Sequence, residues 1–105
     1  MSTSQPGVIT SVQERAQTRT QRPPMYQVLL HNDDFTTKEF VVQILVAVFH
    51  KLLPEATQLM WQVHRHGKGV AGVFTREIAE TKVAAVTTLA REAQFPLKVT
   101  MEPEP

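Results

Sequence analysis

The stretch that decides the fold is residues 25–39, MYQVLLHNDDFTTKE, in which a strand pattern runs directly into the start of a helix. Apolar residues alternate with more mixed ones across 25–31, as is typical of a β-strand. The NDD triplet at 32–34 favours a turn because Asn and Asp side chains bond nearby backbone groups. Thr36 and Glu39 then have the spacing of a capping box, which begins a helix. We therefore predict a strand, a polar turn and a helix in direct succession.

Two further helices and two further strands complete the predicted order. The apolar period predicts a first helix that runs to about residue 53, a second with Pro54 at its first position and Gly67 at its end, and a third capped by Thr75. The further strands are predicted over 70–74 and 97–101. The inward-facing helical residues are predicted to be Val41, Ile44, Leu45, Val48, Leu52, Ala56, Leu59, Met60, Val63, His64, Ile78, Ala85, Val86 and Leu89. This order favours a two-layer α+β sandwich, whereas periodicity leaves the strand order open.

Composition restricts the classes of protein to which the chain can belong. Its 105 residues are 42% hydrophobic and 20% charged, with a net charge of +1, which is typical of one globular domain. No apolar run is long enough for a membrane span, and no basic cluster of the kind that binds nucleic acid occurs. The sequence lacks cysteine and an apolar signal segment. We therefore expect a protein of the reducing cytoplasm that is monomeric when free.

Residues 1–24 differ in character from the rest of the chain. They are rich in Ser, Thr and Gln, lack aromatic residues and end in Arg-Pro-Pro. Such a segment buries too little apolar surface to offset the entropy of ordering it. We therefore predict a flexible tail over 1–24 and a folded domain over 25–105. The tail is either a dispensable terminus or a tether that touches a partner, and both interpretations stay open.

The residue inventory argues against an enzyme. The chain has no cysteine, and its serines, Ser2, Ser4 and Ser11, all lie in the predicted tail, so the folded part cannot pair a Ser or Cys nucleophile with histidine. The four histidines lack the spacing of a metal site, and the NDD triplet lacks the following Gly and Glu of a calcium loop. We therefore expect no catalytic residue, no metal and no cofactor.

The NDD triplet has two interpretations. It is a turn with carboxylates near a positive helix end, or it is the mouth of a binding site beside Thr36 and Val41. Met60, Val63 and His64 are three and four residues apart, so they share one face of the second helix and can form an opposing wall. An apolar pocket with hydrogen-bond acceptors at its mouth suits an ammonium group attached to a bulky apolar side chain. A peptide N-terminus with a large first residue has this shape.

Several blocks of the sequence together closely resemble the ClpS family. They are PPMY at 23–26, LHNDDFT at 30–36, ATQLM at 56–60, Val63-His64, GVFT at 72–75 and ETK at 80–82. The resemblance covers about residues 23–102. It implies the fold of the ribosomal stalk protein's C-terminal domain, a three-stranded antiparallel sheet packed on three helices. It also implies an adaptor of the bacterial N-end rule, which binds proteins that begin with Phe, Leu, Tyr or Trp and hands them to the ClpA unfoldase of the ClpAP protease.

The resemblance further implies roles for individual residues. The ligand α-amino group would be bound by Asn32, Asp33, Asp34 and His64, with Asp33 mainly supporting the turn. The ligand side chain would be enclosed by Leu30, His31, Thr36, Lys38, Val41, Met60, Val63 and Leu97. Docking on the N-terminal domain of ClpA would involve Glu77, Glu80 and Lys82. A Lys82 that only buries its stem is the alternative at that position, and an amine-independent interaction module is the alternative for the whole protein.

Two pocket residues depart from the family pattern. His31 stands where an aliphatic residue is usual, and Lys38 stands where many members have Met. The stem of Lys38 can still cover a pocket, and its ammonium is expected to favour a ligand with an acidic second residue over one with a basic second residue.

Overall fold

Residues 23–105 are described by the structure, a computed structural model, and they form six elements. These are β1 (Met25–His31), α1 (Lys38–Ala47), α2 (Leu53–His66), β2 (Lys68–Thr75), α3 (Arg76–Glu92) and β3 (Lys98–Pro103). Their order is the predicted one. The tail predicted over 1–24 lies, apart from its last two prolines, outside the described residues, and so stays a prediction.

β1 is the central strand of a three-stranded antiparallel sheet whose order is β2-β1-β3. This confirms the predicted α+β class and supplies the strand order that periodicity leaves open. Leu30 pairs with Gly69 on one side and with Val99 on the other. Because β1 is paired along both edges as far as His31, the turn that follows it starts from a fixed point.

The helices pack against one face of the sheet through an apolar core. Its largest fully buried side chains are Val28, Leu30, Ile44, Leu45 and Val86. Val28 and Leu30 are two residues apart, so they point to the same face of β1. Burying each such side chain contributes about 1.5–3 kcal/mol. The core therefore fixes α1 against β1 and holds both ends of the turn between them.

The first helix differs from its prediction at both ends. Thr37 rather than Thr36 is the N-cap, and its side-chain oxygen accepts a hydrogen bond from the Phe40 N–H at 3.1 Å. The predicted capping box is therefore wrong. The helix also ends earlier than predicted, because the chain turns away at His50, whose φ is 58°. As a result Leu52, predicted to face inward, is 76% exposed.

The other two helices follow their predictions more closely. α2 begins one residue earlier than predicted, and β2 extends further at both ends. The buried residues of α3 are Ala79, Val86 and Ala90, whereas Ile78 and Leu89, predicted to face inward, are partly exposed. Small alanine side chains bring α3 close to the sheet, which leaves the larger ones at the edge of the contact. Within residues 23–105 no helix is long and apolar enough to cross a membrane.

Candidate functional site

The turn between β1 and α1 is organised by the carboxylate of Asp33. Its Oδ1 accepts hydrogen bonds from the backbone N–H groups of Phe35, at 2.8 Å, and Thr36, at 2.7 Å. Its Oδ2 accepts a third bond from the Thr36 hydroxyl at 2.7 Å. Burial acts to raise the pKa of Asp33, but the three hydrogen bonds outweigh it and lower that pKa below its ordinary value. Asp33 is therefore a structural anion that shapes the turn.

A backbone hydrogen bond ties this turn to the end of α2. The Asn32 N–H donates to the Gly67 carbonyl at 2.8 Å, and the Gly67 N–H donates to the Val63 carbonyl at 2.9 Å. Gly67 has a φ of 87°, which glycine adopts without the clash that a Cβ would cause. The last turn of α2, which carries His64, is therefore held opposite the polar turn.

A cavity of about 420 Å³ lies between the polar turn, the start of α1 and the end of α2. Its apolar walls are formed by Val41, Met60 and Val63, whose side chains are almost completely buried. Its rim carries the exposed residues Asn32, Asp34 and His64. The remaining lining residues are Asp33, Phe35, Thr36, Thr37, Lys38 and Glu39. This volume is in the range of small-ligand sites, and the arrangement joins an apolar interior to a rim of hydrogen-bond acceptors.

Nine of the twelve residues predicted for ligand contact meet at this cavity. They are Asn32, Asp33, Asp34, Thr36, Lys38, Val41, Met60, Val63 and His64. Leu30 and Leu97 do not line it; both are buried elsewhere in the core. Within residues 23–105 no group of three or more His, Cys, Asp or Glu side chains is arranged to hold a metal ion.

His31 lies away from the cavity, which corrects its predicted place in the pocket. Adjacent residues of a strand point to opposite faces, and Leu30 points into the core. The His31 Nε2 instead lies 2.7 Å from the Thr100 hydroxyl on β3. Burial, followed by the positive charges of Lys98 and Lys68, lowers the pKa of His31. His31 thus connects β1 to β3 through a side-chain contact instead of lining the cavity.

The sequence interpretation missed Trp61, which stands beside the cavity. The Lys38 Nζ lies 5.2 Å from the centre of the indole ring, and the Arg65 guanidinium lies 5.3 Å from it. The His64 ring is edge-on to the same indole, with 5.8 Å between ring centres. Residues three and four apart on a helix are neighbours, so the spacing of Trp61 from His64 and Arg65 was the available signal. The contact with Lys38 crosses from α2 to α1 and has no local signal.

The residues predicted to dock on ClpA lie on α3 and differ in their surroundings. Glu77 and Glu80 are exposed, and the Glu80 carboxylate forms an ion pair with the Arg76 guanidinium at 3.6 Å. The Lys82 Nζ donates to the Val48 carbonyl at 2.7 Å and lies 5.7 Å from the centre of the Phe74 ring. Its ammonium therefore satisfies a carbonyl just after the end of α1, which supports a structural role for this lysine.

Comparison with known proteins decides the family. The sequence model of the family described as "ATP-dependent Clp protease adaptor protein ClpS" matches residues 21–100. The chain belongs to the ClpS family. A ClpS of Desulforapulum autotrophicum is 52% identical over 104 residues, which cover 99% of this chain and 100% of the relative. A ClpS of Lawsonia intracellularis is 59% identical over 86 residues, which cover 82% of this chain and 79% of the relative.

A solved structure supports the same assignment. Agrobacterium tumefaciens ClpS2, bound to L-phenylalaninamide, matches with a TM-score of 0.76 and 47% identity, covering 79% of this chain and 100% of the ClpS2 chain. The predicted family and fold are thus confirmed. As a ClpS protein the chain is an adaptor of the Clp protease, and its role is in protein degradation.

Proposed function

We propose that this ClpS protein binds polypeptides whose N-terminal residue is Phe, Leu, Tyr or Trp and delivers them to the ClpA unfoldase of ClpAP. The observation that carries the proposal is the 420 Å³ cavity, which combines an apolar interior with an acceptor rim. The structural relative ClpS2 binds L-phenylalaninamide. That ligand joins a free α-amino group to an apolar benzyl side chain, which is the combination that this cavity suits.

The rim binds the α-amino group. An α-amino group has a pKa near 7.7–8.0, so at neutral pH it is mostly a cation with three N–H donors. The Asn32 amide oxygen, the Asp34 carboxylate and the His64 imidazole supply three acceptors at the rim. Asp33 contributes indirectly, because its oxygens are already bonded to Phe35 and Thr36. Acetylation of the amine removes its charge and two of its donors.

The interior selects the side chain. Burying a Phe or Leu side chain against Val41, Met60 and Val63 contributes about 1.5–3 kcal/mol, and each charge-assisted hydrogen bond to the amine contributes about 1.5–3 kcal/mol. Association costs of about 4–15 kcal/mol offset much of this sum, so binding depends on the side chain and the amine together.

The exposed carboxylates Glu77 and Glu80 on α3 are proposed to dock on the ClpA N-terminal domain. Lys82 contributes to this surface by holding α3 against the end of α1 through the Val48 carbonyl. Glu80→Lys is expected to weaken binding of the isolated ClpA N-terminal domain at least about tenfold, since it replaces an attractive charge with a repulsive one. Surface plasmon resonance measures this, with Glu92→Lys at the other end of the same helix as the matched control. Equal losses in the two variants would argue against a specific role of Glu80.

Fluorescence anisotropy tests ligand capture. One labelled peptide is made in Phe-, Met- and acetyl-Phe-starting forms and titrated with the full chain. We expect the Phe form to bind best and the acetyl form to lose most of its affinity. Asp34→Asn is expected to weaken binding of the Phe form about tenfold or more, whereas Glu92→Gln has no effect. Equal affinities for all three peptides would favour an amine-independent interaction module instead.

A further inference from the structure

A second, shallower depression continues from the cavity along the groove between α1 and α2. Its volume is about 370 Å³, and its walls are formed by Lys38, Glu39, Val42, Gln43, Met60 and Trp61. Lys38, Glu39 and Met60 also line the first cavity. The two depressions are therefore neighbours with a shared ridge.

The groove has a direction relative to the amine acceptors. The first cavity combines the start of α1 with the end of α2, including His64. The second combines the next residues of α1, Val42 and Gln43, with the preceding part of α2 at Trp61. The acceptors Asn32 and Asp34 line only the first. A peptide whose amine is bound at the rim and which follows the groove therefore runs toward the second depression.

An extended peptide can present two side chains to adjoining depressions. Side chains one and three of an extended chain point to the same face and lie roughly 6.4–6.8 Å apart. The two depressions adjoin, because Lys38, Glu39 and Met60 line both, so side chains at this separation can occupy one depression each. We infer that the second depression is a subsite for the side chain of the third residue of a bound peptide, and that it takes a large apolar side chain. This inference rests on the proposed function.

The walls of this subsite favour apolar contact over charge. Met60 is buried, and the Trp61 side chain is 37% exposed, so its ring offers open apolar surface. Lys38 and Glu39 bring charges of opposite sign, which gives no consistent preference for either sign. Lys38 and Arg65 each lie within about 5.3 Å of the indole centre, where a cation is attracted to the ring and favours its present position. A ring that is already positioned loses less entropy when a side chain packs on it.

Two isomeric peptides test the subsite, one that begins Phe-Gly-Leu and one that begins Phe-Leu-Gly, with identical remaining sequence and dye. Their composition is the same, so only the position of leucine differs. We expect Phe-Gly-Leu to bind about threefold to tenfold more tightly, as partial burial of one Leu side chain would give. The preference is expected to fall below about twofold in Trp61→Ala and to persist in Ile78→Ala, a matched loss of a partly exposed apolar residue on α3.

Trp61 also supplies a direct readout, because it is the only tryptophan of the sequence. Its emission is expected to shift to shorter wavelength with Phe-Gly-Leu and less with Phe-Leu-Gly. Equal affinities and equal emission for the two peptides would overturn the subsite while amine-dependent binding of Phe still supports the proposed function. A preference that survives Trp61→Ala would also overturn it. Equal binding of the acetylated peptide would remove the proposed function, and the subsite with it.

Discussion

Gly69 on β2 supports the cavity wall from behind, and replacing it with alanine is expected to change ligand preference. A Cβ at this position would lie 2.9 Å from the Val63 Cγ2, closer than side-chain carbons approach one another. Val63 is 3% exposed and lines the cavity. Because its β-branched side chain has few rotamers, the strain pushes it toward the cavity rather than aside. Gly69→Ala therefore narrows the site from a position that the ligand does not touch.

Two opposing effects determine how much Gly69→Ala changes the free energy of unfolding. Overpacking costs about 1–3 kcal/mol, while the lower entropy of unfolded alanine relative to glycine returns about 0.4–1 kcal/mol. Gly69→Ala is therefore expected to lower the free energy of unfolding by about 0.5–2 kcal/mol, measured by urea denaturation. Affinity for a Phe-starting peptide is expected to fall about threefold to tenfold, and affinity for a smaller Leu-starting peptide less than about twofold.

Gly67 provides the matched control. Its φ is 87°, and a Cβ there would have no neighbour within 4 Å, so Gly67→Ala introduces backbone strain at the residue that bonds the Val63 carbonyl but places no atom against the Val63 side chain. It is expected to lower stability by about 1–2 kcal/mol and to leave the ratio of Phe to Leu affinity unchanged. The double variant Gly69→Ala with Val63→Ala is expected to restore that ratio. An unchanged ratio in Gly69→Ala, or an equal change in Gly67→Ala, would refute the reasoning.

Three further predictions concern Asp33, His31 and Lys38. Asp33→Asn is expected to cost about 1 kcal/mol at neutral pH. The folded-state pKa of Asp33 is lowered, so its contribution is present above its ordinary value of 3.8 and fades as pH falls through the folded pKa; urea denaturation should show the wild type and variant converging at low pH. The folded-state pKa of His31 is also lowered, so the folded protein favours the neutral ring and loses stability as pH falls below the ordinary value of 6.5. In His31→Gln the melting temperature is expected to fall less as pH is lowered below 6.5. The same pH dependence in the variant and the wild type would count against this role of His31. Lys38→Met is expected to abolish a preference for Asp over Lys at the second peptide position, measured by anisotropy; a wild type indifferent to that charge would contradict the prediction.

The elements of this fold are predictable from local sequence to the extent that local physics decides them. The strand pattern of β1 and the turn at Asn32-Asp33-Asp34 depend on neighbours within a few residues, and both elements form where they are predicted, although Leu29 is buried along with Val28 and Leu30. The end of α1 is not predicted correctly from local sequence. Apolar residues continue past His50, which has a left-handed backbone conformation, so their spacing alone predicts a longer helix. The same limit applies to α3, where Ala79 is buried in preference to the larger Ile78.

The site shows a similar division. Helix spacing alone groups Met60, Val63 and His64 on one wall. The hydrogen bond from Asn32 to Gly67, which brings that wall to the turn, joins residues far apart in the chain and leaves no local pattern. His31 illustrates the opposite error, since the family motif suggests a pocket position where strand alternation points the side chain away.

The Asn32–Gly67 hydrogen bond has a thermodynamic consequence for the adaptor in use. This bond joins two residues that are far apart in the chain. A peptide amine bound between the polar turn and His64 would connect the same two segments through the ligand. Because the peptide binds only the folded protein, it stabilises that state. At a peptide concentration of about a hundred times its Kd, the free energy of unfolding rises by about 2.7 kcal/mol. In the proposed complex the loaded adaptor is the more stable form, which suits the proposed delivery of cargo to an unfoldase, since the adaptor itself has to avoid being unfolded.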